Sequence, residues 1–360
     1  MKAKTMKRKK SKVSVRRTVL TTLCVILAVI LVAGIGFIAY VEGMLGKLNR
    51  DPDSTFETMS ESEFEQLMEN EDATSETDFD GEEMNATDVE WDEETLLFKH
   101  EDVINLLLIG QDRRPGEKSK YTRSDAMILV TINKAKKTIT MSSLMRDMYV
   151  QIPGKKDNRI NASYAMGGIK LLNETIKKNF GVTIDGNIVV DFTGFMEVID
   201  VVGGVDIKLT KAEARYLNTT KKLNDQPKWK RNLKEGMNHL DANQALAYSR
   251  IRKIGSGDFG RTNRQRKILK ALVNKVKDLS LVETNEMLNK LLPLITTDLK
   301  DAEILGYAGD LLPALPYLTV ETQQIPAEGT YKLAKIDGKS VIVPNFKENK
   351  KILQEIMSTE

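Results

Sequence analysis

The sequence predicts a three-layer α/β sandwich, a central mixed sheet flanked by helices, preceded by one transmembrane helix. Three observations carry this reading. An uncharged run of 24 residues extends from Thr18 to Val41. An acid-rich stretch poor in branched apolar residues follows it to residue 100. From 101 to 360 continuous apolar runs alternate with helix-like periodic stretches, the pattern of a sheet covered on both faces.

The run TVLTTLCVILAVILVAGIGFIAYV would span roughly 36 Å as a helix, enough to cross a bilayer with some tilt. It is too long for the apolar core of a cleaved signal peptide, and no A-x-A site follows it cleanly. Residues 1–17 carry nine Lys or Arg and no acid, whereas only Glu42, Lys47 and Arg50 are charged between the run and residue 51. The positive-inside rule then places a basic tail (1–17) in the cytoplasm, the span at 18–41 and the rest outside, a single-pass protein of the cell membrane with an extracellular C-terminal domain. Beside a span, the basic tail reads as a topology signal touching anionic lipid rather than a nucleic-acid arm. Residues 51–100 hold nineteen Asp or Glu against one Lys. That composition cannot bury enough surface to offset chain entropy, so 42–100 reads as a flexible, self-repelling stalk.

The domain is expected over 101–360. VINLLLIG (103–110) is a continuous apolar run ended by glycine, as in a buried central strand, and 126–144 reads as two strands joined by a Lys-rich turn. MYVQIP continues extended. Residues 162–179 have helical spacing, with Gly181 as a stop signal. GNIVVDF is a strand, GFMEVIDVV a helix and GGVDIKL a strand. Asp241 is a candidate N-cap for 241–252, and Arg264 to Leu279 is helical. The segments 317–325 and 331–343 read as strands, and 346–357 as a closing helix. The Lys-rich stretch 216–235, with Trp229, reads as a lip or a solvated insertion.

Composition narrows the chemistry. The net charge of +3 is a sum over unlike pieces: +9 for 1–17, +1 for 18–50, −18 for 51–100 and +11 for 101–360. A single cysteine, Cys24, excludes an intrachain disulfide, a cysteine-based zinc site and an iron–sulfur cluster. With only His100 and His239, a multi-histidine metal site is excluded. Neither G-x-G-x-x-G nor G-x-x-x-x-G-K-[ST] occurs. A Ser-His-Asp triad would need one of these two histidines, so any catalysis must rest mainly on carboxylates, arginines, hydroxyls or a hard metal ion.

Asp and Arg cluster at strand ends, where ligands of open α/β sheets sit. Gly110-Gln111-Asp112-Arg113-Arg114 follows the first strand, Arg123-Ser124-Asp125 precedes the second, and Arg146-Asp147 follows the third. The densest cluster is Tyr248-Ser249-Arg250-Ile251-Arg252-Lys253, followed by Gly257-Asp258-Phe259-Gly260-Arg261-Thr262-Asn263-Arg264-Gln265. Arg261 and Arg264 would share a helix face, and such grouping builds a guanidinium basket suited to phosphate oxygens. The competing reading of any single arginine is a surface guanidinium paired with an acid. With an anionic ligand, Asp112 and Asp125 would supply hard oxygens for Mg²⁺; each alone also suits a turn or a cap.

The string NLLLIGQDRR, RSDAMILVTIN, SLMRDMYVQIPG, RINASYAMGG, DFTGFMEVIDVVGGVDI, LDANQALAYSRIRK and GDFGRTNRQRKIL, running from about 104 to 275, resembles the LytR-CpsA-Psr family of bacterial cell-wall proteins. The resemblance implies an α/β sandwich with a long apolar polyprenyl-lipid pocket ringed by arginines. It implies transfer of an anionic glycopolymer, of teichoic acid or capsule type, from a polyprenyl-pyrophosphate carrier to peptidoglycan through a phosphodiester. By motif position Asp112 and Asp125 resemble the Mg²⁺ carboxylates, with Mn²⁺ as an alternative ion. Arg114, Arg123, Arg146, Arg250, Arg252, Arg261, Arg264 and Gln265 resemble the pyrophosphate ring. Arg146, Asp147, Arg250 and Arg252 are the candidate catalytic residues, and Asp147 or a metal-bound water is the candidate acceptor of the hydroxyl proton. The chain departs from the family where Met145-Arg146-Asp147-Met148 replaces Pro-Arg-Asp-Thr, where Ala126 ends RSDT, and where Ala242 replaces the glycine of LDG.

Phosphoryl transfer depends on positioning and electrostatics and needs neither histidine nor cysteine. Phe192, Phe195, Val198, Ile199, Ile268, Ala271 and Leu272 are candidates for the lipid pocket, or simple core. The rival class is a noncatalytic, membrane-anchored module that binds anionic polymer or lipid and acts in regulation. A DNA-binding role is opposed by topology and by the absence of a helix-turn-helix pattern.

Overall fold

The computed structural model describes residues 39–50, 59–72, 81–93, 97–111, 124–220, 231–255, 257–277, 279–311, 314 and 317–359. The chain forms two compact units, one ending at Lys47 and the other beginning at Leu48. Of the first unit, residues 39–45 are helical. The basic tail and residues 18–38 of the expected span lie outside the described residues, and no described helix is long and apolar enough to cross a membrane.

The second unit is built on a seven-stranded mixed sheet. At its centre β1 (Val103–Gln111) pairs antiparallel with β2 (Ser124–Asn133), which pairs antiparallel with β3 (Thr138–Leu144). Beyond α1 (Ile160–Phe180), β4 (Gly186–Val190) lies parallel to β1 on the other side. Short strands Thr296–Thr297 and Asn49–Arg50 extend that edge.

After β4 come α2 (Phe192–Val201), β5 (Val205–Leu209), α3 (Lys211–Thr219), β6 (Gly236–Leu240), α4 (Ala242–Ser249) and α5 (Gly257–Lys277). They are followed by α6 (Leu281–Leu291), α7 (Asp301–Leu311) and β7 (Thr319–Ile325), which runs parallel to β3 at the far edge of the sheet. The chain closes with the hairpin β8 (Tyr331–Ile336) and β9 (Lys339–Pro344), then α8 (Phe346–Met357).

Both faces of the sheet are covered, as the apolar runs predict. Leu107, Ile109, Met127 and Leu129 face α1, α8 and the β8–β9 hairpin. Ile104, Ile128, Ile132 and Met141 face α5 and α7. A third cluster joins α2, α4, α5 and α6 to β5. The expected helices start and stop on the expected signals. Asp191 caps α2 through the Gly194 amide, and Asp241 forms a capping box with Gln244. Gly181 ends α1 in the left-handed conformation at φ 71°.

Three expectations need correction. The stretch 42–100 is not wholly a free stalk. Its helix Glu61–Asp72 buries Phe64 to 1% exposure, Met59 and Val89 join the main core, and Glu82–Glu83 pairs parallel with β8. Widely spaced apolar residues dock where the average composition suggested none. The strand expected at GGVDIKL is present as β5, which pairs with β6 apart from the central sheet. Its Val205, Ile207 and Leu209 point into the helical cluster. The helix expected from Arg264 begins about two turns earlier, at Gly257. Of the Lys-rich lip, residues up to 219 belong to α3, whereas 221–230, with Trp229, lie outside the described residues.

Candidate active site

Arg146 and Asp147 follow β3 in a segment whose backbone is tied to other parts of the chain by four hydrogen bonds. The Met145 amide donates to the Ile325 carbonyl at 2.9 Å and the Ile342 amide to the Asp147 carbonyl at 2.9 Å. The Ile160 amide donates to the Met148 carbonyl at 2.8 Å and the Asn161 amide to the Arg146 carbonyl at 3.3 Å. Met145 and Met148, where the resemblance leads one to expect Pro and Thr, are buried in the main core. Packing and backbone bonds hold the loop without the proline.

Asp258, in the first turn of α5, gathers the arginines. Arg146 Nε and Arg261 Nη2 each donate to its Oδ2 at 2.9 Å, and Arg252 Nε lies 3.6 Å from its Oδ1. Asp147 lies beside them, its Oδ2 3.4 Å from Arg146 Nε and its Oδ1 3.9 Å from Arg159 Nε. Arg159 is otherwise committed to the Ser340 carbonyl through Nε and Nη2. Arg146, Asp147, Arg159, Asp258 and Arg261 are buried, whereas the Arg252 side chain is 30% exposed.

Burial sets the two carboxyls apart. It raises Asp147 above the usual carboxylate range, more than Arg146 and Arg159 lower it, and the neighbouring Asp258 raises it further. Asp258 feels the same burial, but Arg261, Arg146 and Arg252 outweigh it and hold its carboxyl well below that range. The helix N-terminus favours the same anion. Of the pair, Asp147 is therefore the more basic carboxyl and Asp258 the more acidic.

The remaining basket residues separate. Arg264 is not a head-group ligand: its Nε donates to Glu213 at 2.8 Å, and its Nη1 and Nη2 to the Ile251 and Ile254 carbonyls. It is a buried rivet between α5, α3 and the segment after α4. Burial opposes ionisation of Glu213, but Thr210 and Arg264 overcome it and lower its pKa. Arg250, at the C-cap of α4, sets its guanidinium carbon 4.7 Å over the Phe192 ring.

That ring borders an apolar cavity of about 210 Å³ between the sheet and the helices, lined by Leu108, Ile128, Val190, Phe195, Leu269 and Leu272. Gln111, Asp191, Ser249 and Gln265 also line it. Of the candidate lining residues Phe192, Phe195, Val198 and Leu272 border it, whereas Ile199 and Ile268 are buried core and Ala271 packs against that core. Along α5, Arg261, Gln265 and Leu269 recur every four residues, so one face passes from guanidinium to amide to hydrocarbon.

Asp112, Arg114 and Arg123 lie outside the described residues. Asp125 lies on β2, where Gly110 pairs with Ala126 and Gln111 with Ser124, leaving Asp125 as the extra residue of a β-bulge. Among the described residues no group of three or more His, Cys, Asp and Glu is arranged to hold a metal.

Residues 59–358 match the model of the LytR_cpsA_psr family. The chain belongs to this family. Regulatory protein MsrR of Staphylococcus aureus (strain Mu50) is 32% identical over 57% of this chain and 59% of its own length. Polyisoprenyl-teichoic acid–peptidoglycan teichoic acid transferase TagU of Oceanobacillus iheyensis is 35% identical over 56% of this chain and 61% of its own length. The chain thus spans under two thirds of either relative. A structure of TagT bound to LIIa-WTA, 27% identical, covers 76% of this chain and 98% of that one with a TM-score of 0.58.

In this LytR_cpsA_psr domain, sequence reasoning missed Asp258, Glu213 and Arg159. Asp258 had a readable signal, a lone acid inside the arginine-rich string at the start of a helix. Glu213 and Arg159 had none, because their roles depend on partners brought from distant elements.

Proposed function

We propose that the chain is a membrane-anchored phosphotransferase that moves an anionic glycopolymer from a polyprenyl-pyrophosphate carrier to peptidoglycan. The observation that carries this is the arginine cluster around Asp258 beside an apolar cavity, joined along one face of α5. A ligand with a phosphate head and a hydrocarbon tail matches that sequence of surfaces. The TagU name and the TagT structure with LIIa-WTA bound support the same substrate class.

In this reading Arg250 and Arg252 meet the pyrophosphate first, and Arg146 and Arg261 follow by exchanging Asp258 for phosphate oxygens. The acceptor hydroxyl oxygen bonds to the sugar-linked phosphorus as the bond from that phosphorus to the lipid phosphate oxygen breaks. The arginines stabilise the charge on the departing polyprenyl phosphate. Asp258, stripped of guanidinium partners, becomes a stronger base and takes the hydroxyl proton.

Mg²⁺ belongs to the proposal. β1 and β2 converge at the Gln111–Ser124 rung, so Asp112 follows one strand of that rung and Asp125 adjoins the other. This two-carboxylate donor set suits the ion, which would supply charge neutralisation on the pyrophosphate. The span at 18–41, the cytoplasmic N-terminus and the external domain complete the proposal, since lipid-linked substrate and wall meet there.

The test is incubation of the full chain in detergent with a synthetic lipid-pyrophosphate glycan, peptidoglycan oligomers and Mg²⁺. A glycan phosphodiester product is expected, with Arg250→Ala slower by on the order of 100-fold. Binding without product would favour a regulatory module, the reading that the name of MsrR supports.

A further inference from the structure

A groove of about 470 Å³ lies on the α1–α8 side of the sheet, the side away from the apolar cavity. Its size is that of an ordinary ligand pocket, but its walls are polar and aromatic. Trp91 and Tyr331 are half-buried in it, and Glu90, Lys332 and Asn345 line it with exposed side chains. Trp91 is held from behind by Phe346, ring centroids 5.2 Å apart, and by Tyr149 at 6.1 Å. Tyr331 stacks on Phe259 at 5.1 Å and 21°. Phe259 directly follows Asp258, and β9, whose Val343 and Pro344 form one wall, donates the Ile342 amide to Asp147. The groove is therefore built on the same two elements that fix the carboxyl pair.

We propose that this groove binds an uncharged saccharide chain and presents the acceptor to the site. The proposal rests on the transfer reading above. Fixed aromatic rings offer flat apolar surface to the C–H faces of sugar rings, and flanking carboxylate, ammonium and amide groups meet hydroxyls and acetamides. Charge sorts the two substrates. Asp88 and Glu90 are balanced by Lys332 and Lys347 in the groove lining, so the groove offers a phosphate-linked polyanion no net attraction, whereas the arginines on the other side attract it. Asp92, the third acid here, is paired with Lys350 at 3.1 Å and steadies the segment that carries Trp91. One side of the groove thus comes from the acidic stretch that composition alone assigns to a stalk.

The chain has two tryptophans, so Trp229→Phe leaves Trp91 as the sole reporter. The full chain carrying that change is titrated with the N-acetylglucosamine tetramer while Trp91 emission is followed. A saturable change is expected, with affinity at least tenfold weaker in Tyr331→Ala and at least threefold weaker in the exposed Lys332→Ala and Glu90→Ala. No saturable change, or one undiminished in all three variants, overturns the proposal. The two readings fail separately: tetramer binding without any phosphodiester product from the wild-type chain sinks transfer and leaves the saccharide site. Transfer with an unchanged acceptor KM in Lys332→Ala and Tyr331→Ala sinks the groove and leaves transfer.

Discussion

Arg261 and Arg264 stand three residues apart on one helix, yet different carboxylates hold them and they answer to different tests. Arg264 is sealed against Glu213 and two carbonyls. Glu213→Ala leaves that guanidinium buried without its counter-charge, and should destabilise the fold by about 3–5 kcal/mol in a denaturant titration. The pair Glu213→Gln with Arg264→Met should lose less than the sum of its single changes. The pH dependence has two signs. Glu213 has a lowered folded pKa, so its contribution is present above its ordinary value of 4.5 and fades as pH falls below it. Asp147 is raised, so the wild-type chain loses stability as pH climbs above 3.8, and Asp147→Asn should lack that decline in melting temperature.

At the scale of elements, the helix Glu61–Asp72 is the clearest test of what belongs to the domain. Phe64→Ala should cost about 3–5 kcal/mol, measured by denaturant unfolding, whereas a free stalk would give no change. Its docking was not legible because Met59, Phe64 and Val89 are isolated among acids, and their partners lie far along the chain. The central strands were legible for the opposite reason. VINLLLIG buries both faces and needs no distant partner to be read as a strand. β5 shows the intermediate case, since its alternation is plain but the surface it faces is not. α6 could have been found, because Ser280 and Glu283 form a capping box written directly in the sequence. The candidate site was legible as a set of arginines, but which of them bind substrate and which hold the fold together depends on Asp258 and Glu213.

For the whole molecule, the segregation of charge and the two cavities belong together. The apolar cavity and the polar groove lie on opposite faces of the sheet, and α5 reaches both through Gln265 and Phe259. Binding of inorganic pyrophosphate to the full chain should weaken several-fold between low and high salt, because partly exposed Arg252 is open to screening. Tetramer binding in the groove should hold nearly constant over the same range. Calorimetric titration of each ligand at the two salt concentrations checks the contrast.

The bulge at Asp125 has a consequence for which way the chain faces. In a regular strand residues two apart share a face. Ala126 shares a rung with Gly110, whereas Ser124 shares one with Gln111, whose amide bonds the Tyr164 hydroxyl under the opposite face. The one extra residue switches odd and even, so that Ala126 borders the cavity while Ser124 belongs with the core side. Deleting Asp125 would leave Ser124 and Ala126 adjacent and still on opposite faces, whereas regular pairing of all three residues would turn the Ser124 hydroxyl toward hydrocarbon and shift the strand end beside the arginines, although no residue of the cluster itself had changed.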